Sequence, residues 1–500
     1  MSVSSTRKNT VSATMRVRVL LLGTALVAFF TMIPGLAKSL TLSTHALSST
    51  GSISYFPVVS VNVNESKVIS TNNLSLAFAL GYDWRLWRDS SAMSQLTTNA
   101  DFKLIHIYST LLEPCTYWDE STSTGTFNWA SVDLLIQRIF AAGAEPSVAL
   151  GYIDSSGITI PPGMAINPAT GLPYPNSFAA YARAWVTHMQ TKGFAVRYYE
   201  VINEAWYYFY PNLNWNGAKA GYFTELYKTS YDAMHAQNSQ VLVSNDASLH
   251  RKAFDFWIAN GVKLDYLSFH KYDSDSLSMG DQTPLQRAEQ RYYVTDTYFY
   301  GVNDARQRYF NARGVTLQAI ATETNWAAVC SSGTDPRIQQ VVGAVWTALM
   351  LKSSVLNGVQ SMCYFAWSSS KSWELAHKSS GGYGFGMVNQ DNNQPWYPYY
   401  VQKMIGDNLA VGDQIVESSS SSSDIRTLTW IHNGTLEILL ISKVDESRTI
   451  YLQGISGQLS FSKIDNNVPY DTPRLQVGNW SSLSPLITVG YSVILLQLVS

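Results

Sequence analysis

From about residue 76 to residue 405 the chain alternates short apolar runs with longer segments whose apolar residues recur every three or four positions. The short runs predict buried strands and the longer ones amphipathic helices. Eight runs have strand character: Leu76–Leu80, Leu104–Tyr108, Pro146–Leu150, Arg197–Ile202, Val241–Ser244, Tyr266–His270, Leu317–Thr322 and Gln360–Phe365. Between them, Val132–Ala142 has helical spacing and stops at Gly143, and Phe178–Thr191 and Ile338–Leu356 read similarly. Eight strands with intervening helices predict an α/β fold, a (β/α)8 TIM barrel. A doubly wound open sheet is the alternative, which the count of eight disfavours.

After about residue 408 the pattern changes. Thr427–Ile431, Thr435–Ser442, Arg448–Leu452 and Leu486–Leu498 are rich in β-branched residues, and loops of Gly, Asn and Ser separate them. This predicts an all-β domain over residues 408–500, a sandwich, behind a barrel over residues 76–407. Ser418–Ser423, a serine run between two strands, reads as a loop. Ser54–Ile69 is strand-like and precedes the barrel, so residues 55–75 are expected to pair into the C-terminal β-domain.

The start of the chain carries a different signal. Arg16 and Arg18 precede an uncharged run from Val19 to Ala37, closed by Pro34, Gly35 and Ala37. That order is a signal peptide's, with an uncleaved membrane anchor as the alternative. Residues 38–54, rich in Ser and Thr, read as a linker. Either reading makes the protein secreted or cell-surface. Four N-x-S/T sequons, at Asn64, Asn73, Asn433 and Asn479, suit that compartment.

Composition narrows the function. The net charge is −2, and it falls to −6 without residues 1–37, which hold Arg7, Lys8, Arg16 and Arg18 and no acidic residue. That excludes a nucleic-acid partner, which needs a basic face. Any membrane contact is expected only through an uncleaved N-terminal anchor. Aromatics are 13% of residues, with 15 Trp and 30 Tyr, which suits stacking on sugar rings. Three cysteines without close spacing form no zinc site or disulfide framework, although Cys115 and Cys330 both follow predicted strands and could pair.

Two carboxylates then stand out. Glu204 closes YYEVINEAW after the fourth predicted strand, and Glu323 closes LQAIATETNW after the seventh. Catalytic groups of such barrels project from C-terminal strand ends. Glycoside hydrolysis needs two carboxyl groups flanking the scissile bond. Asn203-Glu204 after a strand resembles the Asn-Glu signature of clan A glycoside hydrolases. Within that clan the chain is most similar to glycoside hydrolase family 39, which includes β-xylosidases and α-L-iduronidases. Glu145–Tyr152 (EPSVALGY), Ser268–Tyr272 (SFHKY), Tyr364–Trp367 (YFAW) and Gly381–Asn389 (GGYGFGMVN) with Pro395–Tyr399 carry the likeness further, over roughly residues 55–500.

The resemblance implies a retaining glycoside hydrolase acting on β-linked sugars of an oligo- or polysaccharide, with no metal or organic cofactor. It makes Glu204 the acid/base and Glu323 the nucleophile. It puts Asn203 on the sugar 2-hydroxyl, Tyr272 as a donor to Glu323, His270 in the −1 subsite, Trp367 as the platform under that sugar, and Glu374 on sugar hydroxyls. Three positions depart from the family pattern. His106 and Tyr108 stand on strand 2 where an Arg and a His are usual, and Ala205 replaces the proline after Asn-Glu. Trp206–Trp215 (WYYFYPNLNW), led by Trp206, is expected to wall further sugar sites. The alternatives are an endo-acting β-glucanase or mannanase of the clan, and a carbohydrate-binding surface protein that has lost catalysis.

Overall fold

A computed structural model of the chain describes residues 56–154, 157–211, 214–327, 335–370, 384–469 and 472–499. The leader, the Ser/Thr-rich linker, Cys330 and Glu374 lie outside those residues. At the centre are eight parallel strands: β1 (Ser75–Leu80), β2 (Leu104–Tyr108), β3 (Glu145–Ala149), β4 (Tyr198–Glu200), β5 (Leu242–Ser244), β6 (Tyr266–Ser274), β7 (Gln318–Ala327) and β8 (Ser361–Phe365). β1 pairs with both β2 and β8, so the ends of the series meet. The Asp265 N–H donates to the Val243 carbonyl (3.1 Å) across the seam between β5 and β6. This is a (β/α)8 barrel.

Alternate residues of each strand face the axis. Ala77, Ala79, Leu104, Tyr108, Ala149, Tyr198, Tyr266, Ile320 and Cys363 form one cluster inside the barrel. Their strand neighbours, among them Phe78, Ile105, Val148, Tyr199 and Leu267, belong to the larger core between sheet and helices. Both faces are covered, which is why these strands read as unbroken apolar runs rather than alternating ones. The helix Pro175–Lys192 shows why the connecting segments are helical. Proline sits in its first turn, Gly193 ends it at φ 71°, and one face carries Phe178, Tyr181, Trp185 and Met189 into the core.

Nine further strands form a second, mixed sheet, the C-terminal β-domain. Its order is Gln476–Ser481, Gln458–Asp465, Ser492–Leu498, Thr435–Ser442, Ile425–His432, Gln414–Ser420, Val58–Thr71, Arg448–Gln453 and Leu486–Thr488. Val58–Thr71 comes from ahead of the barrel. It lies antiparallel to Gln414–Ser420 and parallel to Arg448–Gln453. Its Val59, Val61 and Val63 share a core with Leu436, Ile438, Leu440, Ile494 and Leu496. The serine run is partly strand rather than loop: Ser418, Ser419 and Ser420 pair with Val63, Asn62 and Val61. Leu486–Leu498 is two strands, broken by a turn at Gly490 with φ 62°. Cys115 is a free, buried thiol that opens the hairpin Cys115–Asp119/Thr124–Phe127, its Sγ donating to the Tyr117 carbonyl, so no disulfide holds it.

The β-domain and the barrel share a core. Thr435–Ser442 is buried on both faces: Leu436, Ile438 and Leu440 point into the β-domain, while Leu439 and Ile441 join the barrel's core. The helix Val341–Leu356 is apolar all round and buried along nearly its whole length. Such a helix needs cover on every side. At the edge of this contact Glu289 takes both Arg426 (2.5 Å) and Lys443 (2.7 Å). Ending the chain at residue 407 therefore strips cover from the barrel and a partner from Val58–Thr71. We expect the truncated protein to aggregate or melt well below the full chain. Leu439→Ala in the full chain should cost about 2–5 kcal/mol, read from denaturant unfolding.

Candidate active site

The polar groups of the barrel interior lie in layers, and strand parity decides which layer each enters. On β6 the inward positions are Tyr266, Ser268, His270 and Tyr272, climbing toward the C-terminal mouth. On β2 they are Leu104, His106 and Tyr108. β7 breaks the rule. Phe269 pairs with Ala321 and His270 with Glu323, so Thr322 is an additional residue, a β-bulge. Strict alternation would put Thr322 and Glu323 on opposite faces. With the bulge both point inward: Thr322 Oγ1 donates to Glu200 (3.1 Å), and Glu323 meets Tyr108 and Tyr272. β7 runs on to Ala327, so Glu323 lies inside the strand rather than beyond its end.

Glu204 follows β4 by four residues, and its backbone is left-handed, φ 55°. Next to it, the Asn203 N–H donates to the Gly151 carbonyl (2.7 Å) and the Asn203 carbonyl accepts from Ile153 (3.0 Å). A Glu204 oxygen, a His270 nitrogen and a Glu323 oxygen all lie within 4.8 Å of one another. Tyr108 donates to Glu323 Oε1 (2.6 Å), Tyr272 to Oε2 (2.5 Å), and Asn203 Nδ2 to Oε1 (3.5 Å). His270 Nδ1 stands 3.4 Å from Glu204 Oε1 and 3.6 Å from Glu323 Oε2. Glu204, Asn203, His270, Tyr272 and Glu323 thus meet in one cluster, with Tyr108 added.

The electrostatics of the cluster are unequal. Burial raises the pKa of Glu204, and the Glu323 charge adds to that, while His270 and a hydrogen bond from Tyr152 oppose it. Burial alone would strip the proton from His270, but Glu323, Glu204 and Asp246 outweigh it and hold the imidazole up at about 10. His270 is therefore an imidazolium between two carboxyl groups. Burial, then the charge of Glu323, drives both Tyr108 and Tyr272 well above the usual phenol range, so they stay donors. Among the described residues Glu204, His270 and Glu323 are also the set whose atoms stand close enough to ligate a metal ion. With His270 protonated, a positive charge already occupies that position.

Two expected positions come out differently. His106 is fully buried one layer deeper than Tyr108, with Nδ1 3.1 Å from Ser147 Oγ and Nε2 3.7 Å from Glu200. Burial pulls its pKa down to about 3, so it is a neutral core histidine with no access to a ligand. Trp367 is no platform: it is fully buried against Phe78 (4.4 Å between centroids), Phe102 and Tyr399, with its Nε1 on the sulfur of Met93. β8 ends at Phe365, and the chain turns before Trp367, which cancels the parity. Phe365 is the partly exposed aromatic at that strand end, its ring edge-on to Tyr108 and beside Phe385. Counting inward positions from Cys363 would have chosen it.

The aromatic run after Glu204 is largely core. Tyr208, Phe209 and Tyr210 are buried, Phe209 against Phe223 and Trp257. Trp206 is partly exposed and stacks on Tyr207 and His250. Glu374 lies outside the described residues. Sequence reasoning passed over Tyr108 as a partner of Glu323, and passed over Asp246, which follows β5 and carried no motif.

No protein-family model and no curated protein matches the sequence. Solved structures do match its fold. A GH39 enzyme from Xanthomonas axonopodis pv. citri superposes with a TM-score of 0.60 at 14% identity, over 90% of this chain and 99% of that one. A GH39 β-xylosidase from Caulobacter crescentus gives 0.58 at 13%, over 89% and 100%. CelM2, a bifunctional glucanase-xylanase from a metagenome library, gives 0.57 at 13%, over 88% and 99%. The chain has the fold of these GH39 structures.

The charge on His270 can be tested by stability. A raised histidine pKa contributes fully below pH 6.5, its ordinary value, and is lost as pH climbs through about 10. The melting-temperature gap between the wild type and His270→Gln should be widest near pH 6 and close as pH approaches 10. A constant gap would mean that His270 is neutral.

Proposed function

We propose that the protein is a retaining glycoside hydrolase that cleaves β-glycosidic bonds of an oligo- or polysaccharide, β-xylosidase-like in substrate. The observation that carries this reading is the pair Glu204 and Glu323 at the mouth of the barrel, with oxygens within 4.8 Å. Retaining glycosidases hold their carboxyl groups about 5–5.5 Å apart, and inverting ones about 6.5–9.5 Å, to admit a water. The close pair favours attack by a carboxylate.

The asymmetry of the pair assigns the roles. Glu323, with a tyrosine donating to each oxygen, is held in a fixed orientation, and it attacks the anomeric carbon. Glu204, its pKa raised by burial, keeps a proton to give to the leaving oxygen as that bond breaks. The product of this step is a glycosyl ester on Glu323. Glu204, now a carboxylate, takes a proton from water, and the hydroxide formed breaks the ester from the face the leaving group vacated. Asn203 Nδ2, 3.5 Å from Glu323, is placed to donate to the neighbouring sugar hydroxyl. Phe365 takes over the apolar contact first assigned to Trp367. Export to the cell surface or beyond remains part of the proposal: it rests on the leader-like start, and it agrees with the exposure of Asn64, Asn73, Asn433 and Asn479.

Two variants test the roles. Glu204→Ala should lose roughly 10²–10⁴-fold in turnover on substrates with poor leaving groups. It should keep the first step on dinitrophenyl glycosides, and azide should rescue it with a β-glycosyl azide as product. Glu323→Ala should lose both steps, and azide should then give the α-anomer. NMR of the first-formed wild-type product decides the mechanism: an inverted anomer rejects it.

A further inference from the structure

Glu204 is a non-glycine residue in the left-handed region, φ 55°. Such a backbone persists only where its surroundings enforce it. The enforcing contacts come from two loops. On one side the loop after β3 takes both backbone groups of Asn203, through Gly151 and Ile153. On the other, the loop after β5 presents two consecutive polar side chains, Asn245 and Asp246, both buried. Asn245 Nδ2 donates to the Ile202 carbonyl (2.6 Å), and its Oδ1 accepts from the Ala247 N–H (3.2 Å). Asp246 Oδ2 accepts the N–H of Glu204 itself (2.8 Å).

We propose that Asp246 is a positioning residue that fixes the acid/base carboxyl: by accepting the Glu204 N–H it holds the left-handed turn that aims Glu204 at His270 Nδ1 and across from Glu323. The inference rests on the reading of Glu204 as general acid and goes beyond it. Without that acceptor the turn relaxes toward an ordinary conformation, and the Glu204 side chain leaves the line of the leaving oxygen. Among the described residues the Asp246 side chain makes no other hydrogen bond: its Oδ1 has no partner there, and His270 Nε2 stands 3.9 Å from Oδ2. Burial pushes its pKa well above the ordinary carboxylate range, and the charges of Glu200 and Glu204 add to this against His270. The function needs an acceptor oxygen rather than a charge, and an asparagine supplies one.

The experiment uses the full chain and two β-glycosides of a sugar that the wild type hydrolyses, one dinitrophenyl and one alkyl. Asp246→Ala, and Asp246→Leu, which keeps the branched shape without an acceptor, should lose roughly 10²-fold in kcat/KM on the alkyl glycoside, the low end of what a placed general acid contributes. Both should stay within about fivefold on the dinitrophenyl glycoside, whose leaving group needs no proton. Asp246→Asn should stay within about fivefold on both, because it keeps the acceptor. A loss shared equally by the two substrates, no loss on either, an Asp246→Asn variant as impaired as Asp246→Ala, or failure of both acceptor-less variants to fold overturns the inference. Glu204→Ala run in parallel separates the two ideas. If it shows no dependence on the leaving group, the acid/base reading has failed, and this inference fails with it. If it shows that dependence and Asp246→Ala does not, only the role of Asp246 is lost.

Discussion

The site depends on gathering three carboxyl groups, Glu204, Asp246 and Glu323, around the His270 imidazole, with Glu200 buried beneath them beside His106. Charge inside a protein must be paired, hydrogen-bonded or discharged. Each of these solutions is used here. His270 keeps its proton and stands between Glu204 and Glu323. Glu323 is held by phenol donors, one on each oxygen. Glu200, Glu204 and Asp246 are driven toward their neutral forms by burial. The arrangement separates two similar side chains into one that accepts donors and one that retains a proton, which is the division acid/base and nucleophile chemistry requires.

That division needs a scaffold that does not relax. The interior of the barrel gives it through size as well as polarity. Small residues, Ala77, Ala79 and Ala149, share the interior with the large rings of Tyr198 and Tyr266, and Glu200, Ser268 and Thr322 form a polar layer above those rings. The outer face is held by helices, and on one side by the β-domain, whose strand Thr435–Ser442 and neighbouring helix Val341–Leu356 have no exposed apolar face left. The β-domain is thus part of what keeps the barrel closed.

Much of this was legible in the chain. A strand buried on both faces leaves an unbroken apolar run, so all eight barrel strands could be found, and a helix packing one face leaves its period. The change to β-branched runs after residue 408 marked the second domain. The Asn-Glu and Thr-Glu dipeptides marked the two carboxylates, although Glu323 lies inside β7 rather than at its end. These are local signals, set by which faces of an element are dry.

Other features have no local signal. Ser418–Ser420 is strand because Val61–Val63, more than three hundred residues earlier, offers its backbone groups. His106 and Tyr108 share a face, and only the stagger of neighbouring strands decides that one meets Ser147 and the other Glu323. Trp367 and Phe365 exchange expected places because the chain turns at the end of β8. Glu323 faces inward because of one additional residue in β7, a choice made by pairing with β6. The sequence by itself determined the elements, their order and the residue types at the barrel mouth, since burial and periodicity are properties of the strand or helix alone. The tertiary structure decided which of those residues touch, since register, bulges and closure arise only when strands distant in the chain are hydrogen-bonded to one another.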